Sequence, residues 1–294
     1  MNYKIAAVVV TYNRLALLKE CVQSLRIQTH KLDEIFIINN SSTDGTLEWL
    51  NSQKDLTVIT QENSGSAGGQ YTGIKTAYEK GYDWIWCLDT DVIPETNSLQ
   101  AFLESEVSSN ISVGFLSSLI FYSDGNLCNV NIPYLQTEKR IVESFVLGDY
   151  IEIISASFGS VLFRRNTIDK IGFPDRRYFI WGDDVDYTFR MIEEGFTGYL
   201  LIKSRATHYA PSNEIDPFLN LNYKDVKMKY GLRNTVNLIV RRNSILYGSK
   251  MRGYLASIVF IYGLISRRIR KQKTININEL VKIIIYYFSG LFFK

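Results

Sequence analysis

The stretch that decides how this chain is read is Trp84-Ile85-Trp86-Cys87-Leu88-Asp89-Thr90-Asp91. Five apolar residues in a row, with both sides apolar, suit a central parallel strand covered on both faces. Two carboxylates two residues apart follow at its carboxyl end. Upstream, residues 5–10, 34–38 and 56–60 repeat the apolar pattern. Between these runs, Leu18, Cys21, Val22 and Leu25 recur at helical spacing, residues 47–50 open a second helix, and residues 74–78 lie in a third that Gly81 ends. Four strand–helix alternations in about 90 residues predict a three-layer α/β sheet, mostly parallel, with helices on both faces. In such sheets ligands bind beyond the carboxyl ends of the strands. The polar clusters after Val10, Ile38, Thr60 and Leu88 all fall there.

Downstream the pattern loosens. Strands are predicted at 113–119, 151–155, 159–164 and 199–202, and helices at 166–171 and 188–194, the last closed by Gly195. Residues 224–247 read as one helix. Apolar runs follow at 254–265 and 280–293, separated by Arg267, Arg268, Arg270, Lys271 and Lys273. Both runs fall short of the ~18 residues that span a bilayer. Apolar runs flanked by cations suit helices lying on a membrane surface, and they also suit helices packed on the rest of the chain or on a second copy. The expected organisation is a first α/β half (1–110), a less regular second half (111–216), a helical segment (217–250) and a basic helical extension (251–294).

The chain has 294 residues, 46% hydrophobic and 21% charged, with 33 Lys and Arg against 30 Asp and Glu. That near balance excludes a polycationic nucleic-acid wrapper. It is uneven, however. From Lys224 onward there are 15 basic and 2 acidic residues, whereas the first 223 residues hold 18 and 28. An acidic body with a basic tail predicts two surfaces with different partners, and the tail fits an anionic membrane better than nucleic acid. Cys21, Cys87 and Cys128 are few and far apart, which argues against a disulfide scaffold or zinc cluster and for buried small hydrophobes. The apolar run at the start is too short for a signal peptide.

Three clusters carry chemistry. Asp89 and Asp91 can converge on a divalent cation that keeps open positions for phosphate oxygens. Gly65, Gly68 and Gly69 lie in a polar stretch, 62–69, read as a loop. It is neither a P-loop nor a first-turn GxGxxG, so it either brings backbone close to a ligand or is a flexible surface loop. Asp183, Asp184 and Asp186 sit beside Trp181, Gly182 and Tyr187. One carboxylate there can take the proton of an acceptor hydroxyl, another can hydrogen-bond an acceptor sugar, and Trp181 can stack on it. The same acids also suit a helix N-terminus.

Taken in order, these motifs resemble an inverting glycosyltransferase of the GT-A fold, family 2, over about residues 1–235. VVVTYNR at 8–14 resembles the opening strand and nucleotide-contacting loop, placing Thr11, Tyr12, Asn13 and Arg14 near the donor. NNSSTDGT at 39–46 resembles the DNxSxDGT element, with Asn39 where the family usually has Asp; Asn40 and Asp44 belong to it. Asp89-Thr90-Asp91 matches the metal-binding DxD, and the second of Asp183-Asp184 matches the usual base. Tyr230-Gly231-Leu232-Arg233-Asn234 resembles the YYxxRN segment of rhamnosyl and galactofuranosyl transferases, which adds Arg233 and Asn234 to the acceptor side.

The resemblance implies Mn²⁺ or Mg²⁺ held by Asp91, His208 and Asp89, with Asp184 as base and Asp183 as helper. It implies a nucleotide-diphosphate sugar donor, UDP-galactofuranose ahead of dTDP-rhamnose and of UDP-galactose or UDP-glucose. It also implies a lipid-linked or polysaccharide acceptor and a site on the cytoplasmic face of a bacterial membrane, with a homo-oligomer possible. An inactive nucleotide-sugar-binding protein is the non-enzymatic alternative.

Overall fold

The computed structural model describes residues 3–135, 149–214, 217–272 and 275–293. Strand β1 (Ile5–Thr11) is buried throughout. It pairs in parallel with β2 (Glu34–Asn39) on one side and β4 (Trp84–Asp89) on the other, and β3 (Thr57–Thr60) extends the sheet beyond β2. Helices α1 (Leu15–Arg26), α2 (Thr46–Asn51) and α3 (Gly65–Glu79) make the connections. The side-chain period of two sorts β1 into two cores. Ile5, Ala7 and Val9 meet Leu18, Val22 and Leu25 of α1, while Ala6, Val8 and Val10 meet Ile74 and Ala77 of α3. The three layers follow from a run that is apolar at every position.

Beyond β4 the sheet changes direction. Strand β8 (Ser160–Arg164) runs antiparallel to β4, and β6 (Val113–Tyr122) antiparallel to β8. Strand β9 (Thr197–His208) runs parallel to β6, and both β5 (Val92–Pro94) and β7 (Tyr150–Ile153) pair antiparallel with β9. One sheet, ordered β3-β2-β1-β4-β8-β6-β9-β5, therefore carries strands from either side of residue 110. Its covering helices include α4 (Ser98–Glu104), α5 (Arg165–Ile171) and α6 (Asp183–Glu193).

Three boundaries differ from the sequence reading. The stretch at 62–69 is not all loop, because α3 begins at Gly65, where the Asn63 side chain accepts the Gly65 N–H at 3.0 Å. Helix α6 starts at Asp183 rather than Thr188, since three acids in its first turn favour the positive end of the helix dipole. Strand β9 runs to His208 because its far end pairs with β5, a partner no local pattern announces.

After residue 225 come α7 (Val226–Tyr247), α8 (Lys250–Gln272) and α9 (Ile277–Leu291). Asp225 and Asn276 cap α7 and α9 by accepting the N–H groups of Lys227 and Glu279. Both later helices lay one apolar side on α7, in a core built on Met228, Leu232, Val236, Leu264 and Ile283. No described helix is long and apolar enough to cross a membrane. Arg268, read as part of the basic surface cluster, turns inward. It pairs with Glu279 and donates to the carbonyls of Phe218 and Leu221, with both side chains buried. Lys273 lies outside the described residues. The three cysteines are free and buried, as expected.

Removing one partner of a buried pair strands the other charge, at about 3–5 kcal/mol. Glu279→Ala should therefore lower stability by about that much in urea unfolding. Arg268→Met with Glu279→Leu should recover most of the loss. A Glu279→Ala midpoint equal to that of wild type would show that the pair contributes nothing.

Candidate active site

The pairing of β5 with β9 brings two sequence-distant residues together. Val92 lies opposite His208, and the Tyr209 N–H donates to the Asp91 carbonyl at 2.8 Å. His208 Nε2 thus comes to 3.4 Å from Asp91 Oδ1. The other ring nitrogen, Nδ1, is 2.7 Å from Asn131 Oδ1 and 3.5 Å from Cys128 Sγ. A proton on Nδ1 donated to Asn131 leaves Nε2 facing the carboxylate. Burial lowers the His208 pKa, but hydrogen bonding and charge from Asp91 outweigh it and push it up to about 10. Burial likewise raises the Asp91 pKa, and His208, with Arg14 at 4.0 Å, holds it below the ordinary range. For Asp89 the charge of His208 is too weak a relief. Burial first, then Asp91, push its pKa up to about 7, with Asp184 adding to the crowding.

Carboxylate oxygen and imidazole nitrogen at this separation fit two adjacent ligands of one divalent cation, which stand roughly 3 Å apart. Among the described residues no three His, Cys, Asp or Glu side chains converge to hold an ion by themselves. Asp91 and His208 form the pair, and Asp89 does not complete a set of three with them.

The carboxylate pair sits at the start of α6. Asp184 accepts the Val185 N–H at 2.7 Å and the Phe158 N–H at 3.4 Å. Burial raises its pKa against the pull of these donors. Asp183 is more deeply buried, its Oδ2 has no partner, and burial with the Asp184 charge drives its pKa far up. A path of hydrogen bonds links the two corners. Phe158 N–H holds Asp184, the neighbouring Ser157 hydroxyl accepts from Asn131 Nδ2 at 2.8 Å, and Asn131 Oδ1 meets His208.

The backbone just before the pair is left-handed at Phe179 (φ 63°), Trp181 (φ 61°) and Gly182 (φ 90°). Such angles cost a non-glycine residue about 1–3 kcal/mol and persist only when surroundings impose them. The imposing group is Asn234 on α7. Its buried amide nitrogen lies 3.0, 2.9 and 2.7 Å from the carbonyl oxygens of Tyr178, Ile180 and Trp181. Arg233 donates to Asn234 Oδ1 and to the Arg177 carbonyl. Phe179 stacks on Tyr230 at 4.9 Å, and the Trp181 ring lies against Gly231 and nearly perpendicular to Phe218.

Several residues expected to touch ligand are engaged with the protein. Tyr187 is fully buried and its hydroxyl donates to the Gly172 carbonyl. Asp186 is buried between Arg190, Arg241 and the Tyr178 hydroxyl. Arg233 and Asn234 hold the loop. On the donor side, Asn39 accepts the Ser42 N–H, Asn40 donates to the Gly65 carbonyl, and the Thr90 hydroxyl donates to the Val10 carbonyl. Asn13 and Asp44 tie the loops after β1 and β2 together, Asn13 accepting from Thr43 and Asp44 from Leu15 and Thr46. The Thr46 hydroxyl keeps the Asp44 carboxyl below its ordinary range. The glycines serve packing. A Cβ on Gly65 would lie 1.9 Å from the Phe179 carbonyl oxygen, and one on Gly69 2.4 Å from Val10; Gly68 is crowded by Ser64. Thr11 is buried with its hydroxyl unpartnered, whereas Tyr12 and Arg14 remain exposed at the mouth.

Residues 6–170 match the family model described as Glycosyl transferase family 2. The chain belongs to glycosyl transferase family 2. It is 27% identical over 231 residues to galactofuranosyltransferase GlfT1 of Mycolicibacterium smegmatis, covering 73% of this chain and 74% of that one. It is 27% identical over 176 residues to poly-beta-1,6-N-acetyl-D-glucosamine synthase of Staphylococcus aureus, covering 56% of this chain and 40% of that one. Among solved structures it resembles GalNAc-T7, crystallised with UDP, GalNAc and Mn²⁺, at a TM-score of 0.61 and 15% identity. That likeness covers 81% of this chain and 47% of the other, and establishes the GT-A fold.

Three features of this transferase's site carry no signal in the sequence: Asn131 behind His208, the Phe158 N–H on Asp184, and the grip of α7 on the loop 178–181. Each depends on groups from separate elements meeting in space. Asn234→Ala should free that loop. The expected result is at least a tenfold fall in transfer, with about 1–3 kcal/mol of stability lost as buried carbonyls lose their donor. Wild-type turnover and an unchanged melting temperature would show that the loop needs no such grip.

Proposed function

We propose that the transferase moves a hexose from a nucleotide-diphosphate sugar to a hydroxyl of a glycan acceptor, with inversion at the anomeric carbon. The observation that carries this reading is the placing of a raised-pKa carboxylate, Asp184, by two backbone N–H groups, one hydrogen-bonded path away from the Asp91–His208 pair. The donor we favour is UDP-galactofuranose, on the likeness to the galactofuranosyltransferase over about three quarters of both chains. The favoured acceptor is a lipid-linked or growing surface glycan.

In this mechanism the acceptor hydroxyl lies against Asp184. As its oxygen bonds to the anomeric carbon, its proton passes to the Asp184 carboxylate, and the bond to the diphosphate breaks with its electron pair. Burial suits Asp184 to this task by bringing its pKa closer to neutral. Asp183, buried behind it with its pKa driven far up, is the neutral member of the pair and the helper. Arg14, at the mouth beside Asp91, is placed to meet the diphosphate. Asp91 and His208 would hold Mn²⁺ or Mg²⁺, whose charge neutralises the departing diphosphate.

Asp184→Asn should lower transfer by about 10²–10⁴-fold, the usual effect of losing a general base, while UDP still binds in calorimetry. A dead Asp183→Asn beside a fully active Asp184→Asn would reverse the assignment. Asp91→Asn should leave the fold intact and cut turnover by about 10²-fold or more, and EDTA should do the same to the wild type. Wild-type rates in EDTA would remove the metal and the role of Asp91 together. A panel of nucleotide sugars, read by metal-dependent release of UDP or dTDP, decides the donor. Preference for dTDP-rhamnose would replace galactofuranose, and turnover of none would favour a binding protein.

A further inference from the structure

Helices α8 and α9 are apolar on two opposite sides. One side of each lies on α7. On the other, Met251, Leu255, Ile258, Val259 and Tyr262 of α8 recur at spacings of three and four and are all exposed, Val259 at 70% and Tyr262 at 73%. On α9 and its C-cap, Ile277, Val281, Ile285, Phe288 and Phe292 do the same, with Phe292 at 77%. More than half of the exposed large apolar side chains among the described residues lie on these two helices. A contiguous apolar stripe of this kind is not maintained for contact with water.

The charges beside the stripes are of one sign. Arg252 and Arg270 fall on one flank of the α8 stripe at helical spacing, with Lys250 and Lys271 at its ends, and Lys282 flanks the stripe of α9. From Lys224 onward the acids are Asp225, which caps α7, and Glu279, which is buried against Arg268. Outward-facing charge is thus cationic. Two copies meeting through this face would bring like charges together. An anionic bilayer offers both requirements, acyl chains for the stripes and head-group phosphates for the flanking Lys and Arg. Tyr254 and Tyr262, each apolar with a polar tip, suit the depth between the two.

We propose that the outward faces of α8 and α9 dock in the plane of an anionic lipid bilayer, without crossing it. The inward faces stay on α7, so docking needs no unfolding. Because α7 also holds the loop 178–181 through Asn234, the docked surface is rigidly joined to the wall of the active site. The inference is independent of the donor sugar.

The test is flotation of the full chain with vesicles of phosphatidylcholine alone or with about 30% phosphatidylglycerol, at low and at 0.5 M salt. Removing the last helices would strip the cover from α7, so point variants on exposed positions serve instead. Wild type should partition at least tenfold more strongly onto anionic vesicles, and salt should weaken it. Leu255→Glu with Val259→Glu should reduce partition at least tenfold while leaving the melting temperature unchanged. Arg252→Gln with Arg270→Gln should reduce it on anionic vesicles only. Absence of binding by the wild type, or equal binding by the Leu255→Glu, Val259→Glu variant, would overturn the proposal. So would a lipid-free dimer in sedimentation velocity that this variant converts to monomer, because the face would then belong to a second copy.

Discussion

The antiparallel seam between β4 and β8 is the constraint on which the rest of the structure depends. On one side of β4 every strand pairs in parallel, and on the other the sheet reverses. Buried polar groups pin the register. Trp86 Nε1 donates to Ser160 Oγ at 3.0 Å, and Ser160 shares hydrogen bonds through Ser118 with Ser204 on β9. A slip of one residue would leave these hydroxyls unpaired in the core and turn each strand's side chains to the wrong layer. The seam also sets where Asp89 ends β4 relative to the segment before β8, which carries Ser157 and Phe158. The two halves of the active site are therefore registered by the sheet itself.

Around the end of that seam the molecule gathers carboxylates that repel one another. Asp89, Asp91, Asp183 and Asp184 share the region, and burial raises three of the four above their ordinary pKa. His208 and Arg14 bring Asp91 below its ordinary range, whereas His208 only partly offsets the rise at Asp89. This arrangement opposes stability and is held in place by β-sheet pairing and by the Asn234 grip on left-handed backbone. A protein selected for stability alone has no reason to keep it, whereas a transferase with a functional site there does.

The helices after residue 225 belong to the same physical unit as the site. Asp186 joins α6 to Arg241 of α7, and Asn234 joins α7 to the loop ahead of the acid pair. Arg233, Asn234 and Asp186, which a motif reading assigns to sugar contact, also hold the loop and the helix that carry the acid pair. Their types suit that work. Asn supplies donors to several carbonyls from one small side chain, and Arg bridges carboxylates with a planar fork.

By itself the sequence determined the alternation of strands and helices, the parallel half-sheet and the DxD at the end of β4. Each is written in local apolar periodicity, which burial enforces whatever the wider context. It also held the family's motifs in order, which led to the transferase and its carboxylate pair. Only the tertiary structure decided that β5 pairs with β9 and sets His208 beside Asp91. It also placed Asn131 and Phe158 to support the site, and turned Asp186, Tyr187 and Arg268 inward. These outcomes depend on pairings between residues tens of positions apart. Composition says that Asp186 is charged and Tyr187 amphipathic, but which side of α6 is covered depends on where α7 comes to lie. The same holds for the apolar runs of the tail. Their length and charge were legible, whereas the division of each into one face on α7 and one facing outward needed the position of the helix they pack against.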